Sequence, residues 1–274
     1  MQTYSRDGLV FPVRDQGPPD GEVAVLLHGF PQDASAFDAV AARLHETGLR
    51  TLTPTQRGYA AGAQPRGRRA YALQETTADV LALLGAAGVE RAHVVGHDWG
   101  AGPAWALGAA HPSRVASLTI LSTPHPAAMA RSLVRSTQAL RSAYMAFFQL
   151  PGLPELVLRR RLAPLLRASG LPAEHVRRYT DVLRSDGVAT GALNWYRGIP
   201  FSSRPLLGPS RVPTTYVWGR HDPALGRAAA ERTGAFVEAA YAFVELDAGH
   251  WLPETRPGDV AAAVTARVRE AGRA

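Results

Sequence analysis

Unbroken apolar strands alternating with amphipathic helices predict an α/β chain, with a mostly parallel central sheet covered by helices on both faces. Two further observations shape that prediction. The alternation stops between residues 127 and 207, where only helical patterns and Pro-rich connections are found, and it resumes after Pro209. Residues 93–102, His-Val-Val-Gly-His-Asp-Trp-Gly-Ala-Gly, read as a buried strand, a sharp turn and the start of a helix. Segments 1–126 and 208–274 are therefore expected to form one core domain, and 127–207 a helical lid over the strand ends.

Residues 8–13 and 22–28 read as the first strands. The second contains Val23-Ala24-Val25-Leu26-Leu27, the kind of run that a doubly covered strand needs, and ends in His28-Gly29-Phe30-Pro31. A helix follows over 34–47, stopped by Gly48, and then a strand over 50–53. Residues 54–69 form a loop rich in Gly, Pro and Arg, and 74–87 an amphipathic helix closed by Gly88. The helix opened at residues 100–102 runs to about His111, and 115–121 is another buried strand. Helices are expected over 131–148, 153–168, 173–184 and 188–196. Strands at 214–218 and 241–246 then alternate with helices at 224–237 and 257–270. Right-handed crossovers place the active site of such a sheet at the carboxyl ends of its strands.

Composition removes several classes of function. The 274 residues contain no Cys, which rules out disulfides and thiolate metal sites and suits a cytoplasmic setting. The net charge is +7 and every basic side chain is Arg, but the small clusters at Arg66, Arg68 and Arg69 and at Arg159, Arg160 and Arg161 are not interleaved with aromatics. Both read as solvated faces, and no nucleic-acid partner is expected. The nine His residues lack metal-ligand spacing. Residues 1–12 do not read as a signal peptide, and no apolar run reaches the length of a membrane span. Oligomeric state, a homodimer included, stays open.

The turn in residues 93–102 needs small residues at 96, 100 and 101 and holds Asp98 at its apex. The start of the following helix favours the ionised carboxylate, although in isolation Asp98 could simply be a helix cap. Asp222 follows the strand at 214–218, and His250 follows the strand at 241–246. Either could be structural alone; together with Asp98 they end at one edge of the sheet in the order nucleophile, acid, base. That order resembles the α/β-hydrolases, and His28-Gly29-Phe30-Pro31 sits where that superfamily places its oxyanion loop. The resemblance implies an α/β-hydrolase fold.

Asp98 stands where esterases carry Ser, and the difference selects the reaction. A carboxylate attacking an acyl carbon gives an unstable anhydride, whereas attack on a saturated carbon gives an ordinary alkyl ester. Water deprotonated by His250 can hydrolyse that ester, with Asp222 orienting the imidazole and the main-chain N–H groups of Phe30 and Trp99 holding the oxyanion. Epoxides and alkyl halides both fit. An epoxide additionally needs a proton donor, and Tyr can supply it. Tyr144, in Tyr-Met-Ala-Phe-Phe-Gln-Leu-Pro-Gly, and Tyr196, in Asn194-Trp195-Tyr196-Arg197, resemble the lid motifs of epoxide hydrolases, as do His28-Gly29-Phe30-Pro31 and Gly96-His97-Asp98-Trp99-Gly100. This resemblance, which spans essentially the full chain, implies that both phenols face the epoxide oxygen, that Phe30-Pro31 is cis and that no cofactor is needed. It also implies a small apolar epoxide and water as the reactants. The pocket is expected to include His28, Pro31, His125, Phe148, Trp195 and Trp251.

The chain departs from the family in lacking a Trp after the oxyanion loop and in carrying Thr55 where Asp is usual. A haloalkane dehalogenase is the nearest alternative, with Trp99 donating to the halide, although Phe30 offers no side-chain donor. An alternative of another class is a non-catalytic binding protein, which would have no need of a water-activating His.

Overall fold

The structure, a computed structural model, describes residues 1–135 and 138–273. Its strands are Thr3–Arg6 (β1), Leu9–Gln16 (β2), Val23–Leu27 (β3), Arg50–Pro54 (β4), Ala92–His97 (β5), Val115–Leu121 (β6), Thr214–Gly219 (β7) and Tyr241–Leu246 (β8). They form one eight-stranded sheet in the order β1-β2-β4-β3-β5-β6-β7-β8. The two pairings of β2 are antiparallel and all the others are parallel. Leu27 lies opposite Gly96, so β3 and β5 end side by side and release the His28-Gly29-Phe30-Pro31 loop next to Asp98.

The sequence reading missed β1. Arg6 pairs with Leu9 across Asp7 and Gly8, both at positive φ, which is the two-residue hairpin turn that an Asp-Gly pair favours.

The helices of the sheet region are Asp38–Glu46 (α1), Leu73–Ala86 (α2) and Ala101–Ala110 (α3). Between β6 and β7 come Pro126–Arg135 (α4), Gln138–Arg141 (α5), Ala143–Phe147 (α6), Leu153–Ala168 (α7), Ala173–Arg184 (α8) and Val188–Gly198 (α9). Arg227–Arg232 (α10), Leu252–Thr255 (α11) and Pro257–Ala271 (α12) complete the chain. The period of two along β3 divides the core. Ala24 and Leu26 pack with Val40, Leu44, Val260 and Val264 on one face, and Val25 and Leu27 with Val80, Leu84 and Trp105 on the other.

Two helix expectations are corrected. The helix expected over 131–148 is divided into α4, α5 and α6, with residues 136–137 of that span outside the described residues. The helix expected from residue 224 begins only at Arg227, because the Asp222 carboxylate takes the N–H groups of Ala224 and Leu225 and Gly226 is extended.

A buried ionic group helps to seat the helical insertion on the sheet, beside the apolar core the two share. The Arg57 guanidinium makes two bonds to the Asp79 carboxylate, at 2.7 and 2.6 Å, and Arg6 adds a third at 3.0 Å. This fixes the Arg57 main chain, whose carbonyl accepts the Trp195 indole N–H at 2.8 Å. Beside it, α9 approaches so closely that a Cβ on Gly191 would lie 2.4 Å from the Gly58 carbonyl oxygen. Among the described residues no helix is long and apolar enough to cross a membrane. Asp79→Ala would strand the Arg57 charge, and we expect it to cost about 3–5 kcal/mol in urea unfolding, with quenched Trp fluorescence reporting a loosened Trp195.

Candidate active site

Asp98 sits at the bend between β5 and α3 with φ +50°, a left-handed backbone that non-Gly residues rarely adopt. The bend pushes its side chain against the oxyanion loop, where a Cβ on Gly29 would lie 2.3 Å from Asp98 Cβ. The loop's Phe30-Pro31 bond is cis. The Phe30 N–H donates to Asp98 Oδ1 at 2.7 Å, and Thr123 Oγ1 donates to the Asp98 carbonyl at 3.0 Å.

His250 enters from the loop after β8. Its Nδ1 lies 2.7 Å from Asp222 Oδ2 and its Nε2 lies 3.5 Å from Asp98 Oδ2. Asp222 is anchored in turn by the Ala224 and Leu225 N–H groups, at 2.8 and 2.9 Å. The His250 carbonyl accepts from Ser122 Oγ at 2.8 Å and faces His97 Nε2 at 3.0 Å. The three residues that the sequence set at separate strand ends thus meet in one chain of contacts.

Charge balance follows from the geometry. Burial acts to raise Asp98, but the bond and charge of His250, the His97 ring and the Phe30 N–H hold it below the usual carboxylate range. Burial acts to lower His250, and the two carboxylates override it and push the imidazole well above its ordinary value. The buried pair is therefore a carboxylate facing an imidazolium, braced from behind by Asp222.

Aromatic rings crowd the other side of Asp98. Tyr196 is buried and packs edge-on against Trp99 at 4.5 Å and against Phe30 at 5.5 Å. Tyr144 meets Tyr196 edge-on at 6.0 Å between ring centres. Although 40% of Tyr144 is exposed, protein surrounds its hydroxyl end, and that burial, with the Asp98 charge added, raises its pKa. Burial, Tyr144 and Asp98 raise Tyr196 too, so both phenols keep their protons.

The other expected residues fall into two groups. Phe148 packs on Phe30, Tyr144 and Tyr196, and Trp195 lies edge-on to Trp99, so both belong to this aromatic wall. Pro31 is buried in the loop itself. His28 has both ring nitrogens occupied, Nδ1 by the Gly29 carbonyl and Nε2 by the Gln56 N–H, and is a brace for the loop. Trp251 packs its ring on His250 at 5.0 Å and donates its indole N–H to Ser169 of the insertion. Trp99 packs its ring against Trp195 and Tyr196, whereas Phe30 is the main-chain donor that reaches Asp98.

His125 departs from the expectation. Its ring stacks on Phe236 at 4.9 Å, Nε2 bonds the Gly208 carbonyl and Nδ1 accepts the Ala127 N–H, so it ties together the two ends of the insertion. Sequence gave no means of distinguishing this packing site from a pocket wall. The reading also passed over Gln32, Ser122 and Glu254, which bond to the loop, the His250 carbonyl and Gln32 respectively. Among the described residues no cluster of three His, Asp or Glu could hold a metal ion.

Residues 23–257 match the family model of the alpha/beta hydrolase fold, and the chain belongs to that family. Within it, the chain is epoxide hydrolase-like. It is 33% identical over 305 residues to Epoxide hydrolase A of Mycobacterium tuberculosis, covering 94% of each chain. It is also 32% identical over 271 residues to the AB hydrolase superfamily protein YfhM of Bacillus subtilis, again covering 94% of each. The crystal structure of Epoxide Hydrolase A from Mycobacterium thermoresistibile superposes with a TM-score of 0.83 at 28% identity, over 97% of both chains.

Burial lowers His125 to about 4 from an ordinary 6.5, the Gly208 bond opposing it only in part. Between those values the unfolded chain binds a proton that the folded chain does not, so the stability His125 contributes above pH 6.5 is lost as pH falls towards 4. His125→Gln is expected to unfold more easily at neutral pH but to lose less stability on acidification, as read from urea midpoints across that range.

Proposed function

We propose that this chain hydrolyses epoxides to vicinal diols through an alkyl ester on Asp98, with residues 127–207 acting as a lid that supplies the acid. The observation that carries this reading is the pair of phenols, Tyr144 and Tyr196, whose rings meet edge-on at 6.0 Å beside Asp98, with Tyr196 packed on Trp99 and Phe148; burial keeps both protonated.

Asp98 Oδ1 is taken by the Phe30 N–H, so Oδ2 is the attacking oxygen. It forms a bond to one epoxide carbon as the ring C–O bond breaks, and the released oxygen takes a phenolic proton. Esterification removes the negative charge that held His250 protonated, so its imidazolium gives up a proton and the phenol is restored. The neutral His250 then takes a proton from water, and the hydroxide adds to the ester carbonyl. The Phe30 N–H, already aimed at Oδ1, carries the oxyanion. Collapse breaks the acyl C–O bond, the diol oxygen recovers the proton from His250, and the Asp98 proton returns to His250. Each step balances without a cofactor.

An alkyl halide requires no acid and two donors to the halide. Here Tyr196 packs against the Trp99 ring, and Phe30 has no side-chain donor to serve as the second N–H, which disfavours dehalogenation. The aromatic wall suits small apolar epoxides.

His250→Gln is expected to stop after the first step. Intact-mass spectrometry should find Asp98 carrying the entire mass of an epoxide; addition of a haloalkane less HX would favour dehalogenation, and no gain with any substrate would favour a binding protein. The double variant Tyr144→Phe, Tyr196→Phe should slow epoxide opening about 10²–10⁴-fold in single-turnover assays, the range for a lost general acid, and near-normal rates would remove the phenols from the mechanism.

A further inference from the structure

Behind the triad lies a buried carboxyl that the mechanism above does not use. Glu254 Oε1 accepts the Gln32 side-chain N–H at 2.6 Å and the Tyr179 hydroxyl of α8 at 2.7 Å. Its Oε2 is buried and has no hydrogen-bond partner among the described residues. Such a group is costly to keep unless its position matters.

Gln32 shows what that position serves. Its amide oxygen accepts the Gly29 N–H at 2.7 Å, and its main-chain N–H donates to the Gly29 carbonyl at 3.0 Å. Gln32 therefore holds Gly29 from both sides: its side chain takes the N–H of the His28-Gly29 peptide, and its main chain takes the carbonyl of the Gly29-Phe30 peptide, whose other end is the Phe30 N–H aimed at Asp98. The same amide oxygen faces His97 Nδ1 at 2.9 Å, and His97 Nε2 faces the His250 carbonyl at 3.0 Å. Because the Gly29 N–H requires the Gln32 oxygen on that side, the Gln32 NH₂ must point the other way, where Glu254 is the acceptor that receives it. Burial and His250 lower His97 to about 4, so the neutral ring has one proton for two acceptors. A carboxyl bonded to the Gln32 NH₂ polarises the amide and favours that proton on Nδ1.

We propose that Glu254 is a positioning residue for the reaction at Asp98: by holding the Gln32 amide it orients both the oxyanion peptide and the His97 ring behind His250. The claim rests on the epoxide-opening reading. Phe30 carries the oxyanion only in ester hydrolysis, so loss of Glu254 slows the second step more than the first.

Glu254→Leu removes the acceptor. It is expected to lower kcat about 10- to 100-fold and KM by a similar factor, with the alkyl-enzyme accumulating in the steady state and visible by intact mass. Glu254→Gln keeps a carbonyl oxygen for both donors and should stay within about threefold of wild type. Gln32→Met, similar in volume but lacking the amide, should reproduce the joint fall of kcat and KM and carries the test if Glu254→Leu does not fold. Independently of substrate, the ring ¹⁵N signals of His97 should shift in Glu254→Leu and not in Glu254→Gln. Unchanged constants, or a fall in kcat at constant KM without adduct, would overturn the proposal, since a smaller folded fraction alone gives the latter. Absence of diol from wild type, together with no mass gain in His250→Gln, would instead sink the epoxide reading, and the His97 signals would still decide the role of Glu254 in positioning.

Discussion

The contact between the Phe30 N–H and Asp98 Oδ1, 2.7 Å long, is the constraint on which the rest of the site depends. It exists because β3 and β5 are adjacent parallel strands that end at the same height, and because Gly29 lets the loop lie against the Asp98 side chain. One oxygen of a buried carboxylate is thereby pinned and the other left facing His250. A donor placed for the ground-state carboxylate also stands where an oxyanion would form on that atom, so the site is preorganised.

The charges around this contact are compensated in sequence. A lone buried carboxylate would take up a proton, and a lone buried imidazole would lose one. Here Asp98 and Asp222 flank His250, and the carboxylate and imidazolium stabilise each other. Because each charge depends on its neighbour, covalent loss of one changes the proton affinity of the other. That coupling would turn an ion pair into a nucleophile for one step and a base for the next.

The helical insertion is held to comparable accuracy by means unrelated to the reaction. Arg57 and Asp79 hold a main-chain carbonyl for Trp195, Gly58 and Gly191 set the approach of α9, and Arg197 binds the carbonyls of Phe148 and Leu150 next to Tyr196. His125 joins the insertion's two ends. These contacts explain how two tyrosines on separate helices come to lie edge-on to each other.

Much of this was legible in the residues. Continuous apolar runs revealed the buried strands, Gly punctuation revealed the bend, and Asp98, Asp222 and His250 each stood at a strand end, because period and turn chemistry are local properties. Short elements were less visible: β1 is only four residues long, and the start of α10 is set by a side chain five residues earlier. Which buried polar groups meet could not be read at all. His28 and His125 looked like pocket residues and are braces, while Gln32 and Glu254, 222 positions apart, looked like nothing in particular. The sequence by itself determined the order of the strands and which residue types stand at their ends, with a carboxylate at the bend after β5. The partners of each buried nitrogen and oxygen were decided only by the tertiary structure, since hydrogen bonding depends on distances of a few tenths of an ångström between segments that no linear pattern connects.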